Sequence, residues 1–99
     1  MKLDSSISAV VTGGASGLGE ATAHALARRG VRVACLDLRE EAARRTAAQL
    51  DGAIAVACDV SDAAQVARAV ATTAEALGRL DILVNCAAID HTYSVEDLS

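Results

Sequence analysis

Four short apolar runs alternate with segments of helical period, and this alternation leaves the chain very few architectures. The runs are "ISAVVT" (7–12), "VRVACLD" (31–37), "AIAVACD" (53–59) and "LDILVN" (80–85). They are nearly continuous in apolar residues, as strands covered on both faces should be. Between them, residues sharing one helical face recur: Leu18, Thr22, Ala25 and Leu26 within 17–29, Ala43, Thr46, Ala47 and Leu50 within 40–50, and Val66, Val70, Ala74 and Leu77 within 62–77. Glycine follows each stretch, as Gly30, Gly52 and Gly78, where helices commonly end in a left-handed residue. Ser61 and Asp62 are N-cap candidates for the third helix. Strands joined through helices of this length make βαβ units, and hence a parallel sheet with right-handed crossovers. The expected fold is α/β: a doubly wound half-domain over 1–99, with a parallel sheet of four strands and three helices present and the remainder of the fold missing.

Composition refines this. Apolar residues make up 53% of the 99, yet there is no Trp, no Phe and one Tyr. The core must be built from Ala, Val, Leu and Ile, which favours helices packed closely on the sheet. A net charge of −4 makes nucleic acid and anionic membranes poor partners. Cys35, Cys58 and Cys86 are odd in number and lack C-x-x-C spacing, so neither a zinc site nor a disulfide framework is indicated. Met1-Lys2-Leu3-Asp4 does not read as a signal peptide, and no segment approaches the roughly 20 apolar residues of a membrane span. A reduced, cytoplasmic protein is the expectation.

The four runs end in Thr12, Asp37, Asp59 and Asn85. In a parallel sheet all carboxyl ends lie along one rim, so these polar residues should gather beside the glycine cluster "TGGASGLG" (12–19). Open α/β sheets bind ligands at that rim, where strand order reverses. The cluster is not a Walker loop, because Glu20 stands where the lysine must be and Ala21 where the metal-binding hydroxyl must be. The G-x-G-x-x-G register fails as well. What remains is T-G-x-x-x-G-x-G, formed by Thr12, Gly13, Gly17 and Gly19. One glycine allows the sharp turn off the strand, one lets the backbone approach a pyrophosphate, and one lets the helix sit close to the sheet. The helix N-terminus supplies unpaired N–H groups and the positive end of its dipole.

Asp37 lies 20 residues beyond Gly17, where an acid can accept from both hydroxyls of a ribose. Its charge would repel a 2′-phosphate. Ser16 is not a base, and Leu38 stands where an Arg might otherwise follow the acid. These three choices favour NAD over NADP. The plainer alternative for Asp37 is a cap on the helix beginning near Glu40.

"TGGASGLG" (12–19), Asp37, "CDV" (58–60) and "NCAA" (85–88), in this order and spacing, resemble the N-terminal half of a short-chain dehydrogenase/reductase. The resemblance spans 7–90 and is greatest to type-2 3-hydroxyacyl-CoA dehydrogenases and related bacterial members. It implies a Rossmann-type fold and an NAD cofactor. Ser16 and Leu18 would contact the pyrophosphate and nicotinamide side, and Asp37 would hold the adenosine ribose. Asp59 would accept from the adenine amino group, with Val60 flanking the ring. Asn85 would brace the central strands, while Cys86 and Ala87 run beside the cofactor ribose, Cys86 through backbone and shape rather than thiol chemistry. Ala88 departs from the family's usual glycine.

The resemblance also implies catalysis by a Tyr and a Lys in Y-x-x-x-K, with a Ser upstream. The tyrosine moves the proton, helped by the neighbouring ammonium. Here the single tyrosine, Tyr93, has Asp97 four residues on, and the single lysine is Lys2. His24 and His91 have no partner spacing for a metal or a triad. The reading is therefore the cofactor-binding half of an NAD-dependent oxidoreductase that passes hydride between nicotinamide and a secondary alcohol or ketone, such as a 3-hydroxyacyl thioester. The complete enzyme would be a homo-oligomer. A non-catalytic nucleotide-binding module, or a related binder of another adenosine ligand such as S-adenosylmethionine, stands as the alternative.

Overall fold

The computed structural model describes residues 2–13 and 17–86. Its elements run β1 (Ser8–Thr12), α1 (Gly17–Arg28), β2 (Arg32–Asp37), α2 (Glu40–Ala48), β3 (Ile54–Ala57), α3 (Ala63–Leu77) and β4 (Ile82–Asn85). All strand pairs are parallel, in the spatial order β3-β2-β1-β4. The strand–helix alternation has become the expected doubly wound Rossmann-type sheet.

Side-chain alternation along the strands sorts the core into two layers. Ile7, Ala9 and Val11 join Val31, Val33 and Cys35, and this layer packs against Ala23 of α1 and Ala43 and Ala47 of α2. Val10, Ala34 and Leu36 point the other way, against Ala69 and Leu77 of α3. So α1 and α2 cover one face and α3 the other. Strand order reverses between β1 and β4, because α3 carries the chain back past β2 and β1. Central β1 is buried along its whole length, whereas β4, at one edge, alternates half-buried and exposed residues.

Several expectations are corrected in detail. The face of α1 is not Leu18, Thr22, Ala25 and Leu26: Leu18 is 55% exposed, and Gly19 and Ala23 meet the sheet, with Leu26 and Ala27 packed beside them. A helix lying this close to a sheet turns its smallest residues inward and leaves larger ones at its flank. In α3 the buried line is Ala69, Thr73 and Leu77, with Val66 at its margin. The strand expected over 53–59 ends at Ala57, although Cys58 N still donates to Asp37 O at 3.0 Å. Gly30, Gly52 and Gly78 all take positive φ, as expected after their helices.

The ends of the elements are fastened by side chains. Asp62 caps α3, accepting from Ala64 N at 3.0 Å and Gln65 N at 3.2 Å. At the amino end of the sheet, Asp81 accepts from Ser8 N at 3.0 Å and from the Arg79 guanidinium at 2.6–3.0 Å. The Arg79 and Ser8 bonds hold the Asp81 carboxyl below its ordinary value of 3.8. Beside it, Asp81 N donates to Ser8 O at 2.9 Å, extending the β1–β4 ladder by one step.

Asp62→Ala should destabilise the fold by about 1 kcal/mol, the usual worth of an N-cap, read as a lower denaturant midpoint. Asp81 gives a pH prediction. Its folded pKa is depressed, so its stabilisation is fully present above 3.8 and disappears as pH falls through the folded value. The stability gap between wild type and Asp81→Asn should therefore shrink in denaturant titrations carried below about pH 4. A gap that stays constant into that range would show that the carboxylate is not held by these bonds.

Candidate functional site

Parallel register brings three strand tips to one rim. Thr12 stands level with Leu36 on one side and Asn85 on the other. Asp37 is thus one step beyond Thr12, beside Gly13, and level with Ala57 of β3. Thr12 ties β1 to β4: its Oγ1 accepts from Cys86 N at 3.0 Å and donates to Asn85 Oδ1 at 2.8 Å. Cys86 N also reaches Thr12 O at 3.3 Å. Asn85 is therefore a brace of the switch point.

The turn leaving β1 depends on glycine. Gly13 has φ +65° and Gly17, which opens α1, has φ +44°. A side chain at either would be strained. A Cβ on Gly17 would meet nothing within 4 Å, so the requirement there is backbone conformation rather than space within the chain. Gly13 and Gly19 are buried, while Gly17 and Leu18 are exposed. The first N–H groups of α1, like those of any helix, have no partner within the helix itself. Ser16 and Ala87 lie outside the described residues, as do Ala88, His91, Tyr93 and Asp97.

Asp37 shares strand parity with Val33 and Cys35, so it faces the α1 side of the sheet. It is 8% exposed. Its Oδ1 accepts from Arg39 N at 3.0 Å, and Arg39 Nε lies 3.5 Å away. The capping alternative fails in its simple form. The N-cap of α2 is Arg39, with no side-chain cap bond, and Asp37 instead shapes the turn that leads to it. Leu38 projects into solvent at 70% exposure. Leu18, in the first turn of α1, and Leu38, in the turn after β2, are thus two exposed leucines.

Asp59 does not end a strand. It sits in the turn between β3 and α3, where its Oδ1 accepts from Ser61 Oγ at 2.6 Å and Ser61 N at 3.0 Å. These bonds lower its pKa from the ordinary value. Gln65 Oε1 accepts from Asp59 N at 3.0 Å and fixes the turn from the helix side. Val60 is half-buried against the α3 layer.

The cysteines are packing residues. Cys35 and Cys58 are buried, and burial pushes the Cys35 thiol up to about 11, with Glu20 adding to the rise. Burial also raises Cys58, with the Asp59 and Asp62 charges adding to it. Cys86 is buried in the α1-side layer. The raised thiols of Cys35 and Cys58 are poor nucleophiles near neutral pH. Among the described residues no group of His, Cys, Asp or Glu could hold a metal ion, and no helix is long and apolar enough to cross a membrane.

Sequence reasoning missed Arg39 and Gln65. Arg39 was visible as a base two residues past the acid, but only the turn brings it back onto the Asp37 carboxylate. Gln65, one turn into α3, carried no signal of its own.

The model of the family described as short chain dehydrogenase matches residues 8–99. D-threitol dehydrogenase of Mycolicibacterium smegmatis is 46% identical over 102 residues, taking in 99% of this chain and 39% of that protein. The type-2 3-hydroxyacyl-CoA dehydrogenase of Drosophila melanogaster is 44% identical over 79 residues, or 79% of this chain and 31% of that protein. The crystal structure of 3-ketoacyl-(acyl-carrier-protein) reductase from Brucella melitensis, complexed with NADH, superposes with a TM-score of 0.75. It is 38% identical, over 78% of this chain and 32% of that one. The chain thus spans between three and four tenths of the length of these relatives. With the family model matched from β1 onward and the parallel sheet in place, the chain belongs to the short chain dehydrogenase family.

Proposed function

We propose that this chain binds NAD as the cofactor half of an oxidoreductase, which passes hydride between nicotinamide and a secondary alcohol or ketone. One observation carries the reading: Asp37 stands at the tip of β2, nearly buried and level with Gly13, on the side of the sheet that α1 covers. A carboxylate there can accept from the two hydroxyls of the adenosine ribose. The turn formed by Gly13, Ser16, Gly17, Leu18 and Gly19 would receive the pyrophosphate on backbone N–H groups, helped by the α1 dipole. Asp59 would accept from the adenine amino group, with Val60 beside the ring. Thr12 and Asn85 would hold the strand tips in place, and the backbone at Cys86 and Ala87 would line the other ribose.

When bound, the nicotinamide supplies or accepts the hydride. No residue of this chain is assigned the proton-transfer step. The chain's own contribution is to bind and orient the dinucleotide and to discriminate against its 2′-phosphorylated form. D-threitol and a 3-hydroxyacyl thioester, the substrates named for two relatives, share a secondary carbinol, and that class is the proposed substrate. A cytoplasmic homo-oligomer is the proposed setting.

Titration of the full chain with the two reduced cofactors, followed by their fluorescence, should give tighter binding of NADH. Asp37→Asn keeps an acceptor for Arg39 N but removes the charge. It should weaken NADH by about tenfold, the scale of a lost charge-assisted hydrogen bond, and narrow the preference over NADPH. Tighter binding of NADPH by the wild type would overturn the assignment.

A further inference from the structure

We propose that Ser8, Arg32 and Thr73 form a built-in site for one internal water molecule, enclosed between α3 and the amino end of the sheet. The site lies at the opposite end of the strands from the rim described above, so it stands or falls independently of any cofactor.

Parity and register bring the three residues into one layer. Ile7, Ala9 and Val11 face α1, so Ser8, like Val10, faces α3. Arg32 is the register partner of Ser8 on β2 and shares parity with Ala34 and Leu36, so it faces α3 as well. Paired strands run about 5 Å apart, which makes these two side chains direct neighbours on that face. Thr73 stands between Ala69 and Leu77 on the buried line of α3, and that line covers the same layer. The helix leads from the carboxyl end of β3 to the amino end of β4, so its later turns, with Thr73 and Leu77, approach the amino end of the sheet. Ser8 and Thr73 are both fully buried.

Their polar atoms set these residues apart. Among the described residues, three buried side-chain polar atoms have no hydrogen-bond partner in the chain: Ser8 Oγ, Arg32 Nε and Thr73 Oγ1. All three belong to this layer. A buried polar atom without a partner is costly, and native folds rarely keep several together. The neighbouring carboxylate does not serve them, because Asp81 is engaged by Ser8 N and by the Arg79 guanidinium.

The chemistry of the three atoms suits water. Arg32 Nε can only donate, whereas each hydroxyl can donate and accept. A water that accepts from Nε and donates to both hydroxyl oxygens makes three hydrogen bonds, the usual number for an internal water. The guanidinium would repel a cation, and atoms so fully enclosed admit no larger ligand. The water then joins β1, β2 and α3 through one shared centre.

A high-resolution crystal structure of the full chain should show one solvent peak about 3 Å from all three atoms. Stability measurements on Thr73→Val, Ser8→Ala and the double variant give a second readout. Valine is nearly the shape of threonine, so its effect reports on the hydroxyl. A hydroxyl that holds water is supporting: Thr73→Val should lower the folding equilibrium constant about tenfold, and the denaturant midpoint with it. In the double variant the loss should be smaller than the sum of the single losses, because both changes remove the same water. A hydroxyl with no partner gives the opposite sign, since valine then relieves a burden and the midpoint rises. A rise in midpoint, strictly additive losses, or a wild-type crystal structure without a peak shared by the three atoms would each overturn the proposal.

Discussion

The parallel pairing of β1 with β2 on one side and β4 on the other is the constraint on which the site depends. Its register sets Thr12 level with Leu36 and Asn85, and so brings the carboxyl ends of three strands to the opening of α1. A slip of one residue in β2 would carry Asp37 to the α3 face and turn Arg32 toward the α1 side. The alternation of Val31, Val33 and Cys35 against Ala34 and Leu36 prevents this, since both sets are buried in opposite layers. Core packing thus sets which way a single carboxylate faces.

β4 is a short edge strand and relies on polar fastenings at both ends of its seam with β1. Asp81 holds the amino end through Ser8 N and Arg79, while Thr12 holds the carboxyl end through Asn85 and Cys86 N. Such fastenings matter for a strand of four residues with Leu83 exposed. The interior contributes in another way. With no Phe or Trp, it is filled by Ala, Val and Cys, and α1 meets the sheet through Gly19 and Ala23. Close approach of α1 brings its first turn down to the strand tips, where its N–H groups can act.

The strand–helix rhythm made the fold legible from the sequence. Its apolar runs report burial on both faces, and its closing glycines, Gly30, Gly52 and Gly78, report a left-handed backbone at the end of each helix. The rim positions of Thr12, Asp37 and Asn85 were legible for the same reason, as consequences of parallel strands. Helix faces were less so, because Ala and Thr occur all round these helices, and hydropathy alone could not separate Ala25 from Ala23 or Ala74 from Ala69. Asp59 was misplaced as a strand end, since its turn is set by hydrogen bonds to Ser61 and from its own N–H to Gln65, which have no periodic signature. Arg39 was hidden for a related reason. Its position over Asp37 is a property of one turn and not of a pattern.

A crystal structure of the chain with NAD bound tests the central claim most directly. The Asp37 carboxylate should then lie within hydrogen-bond distance of both adenosine ribose hydroxyls, with the pyrophosphate on the turn from Gly13 to Gly19. A dinucleotide lying elsewhere, or a ribose held by other residues while Asp37 faces away, would contradict it.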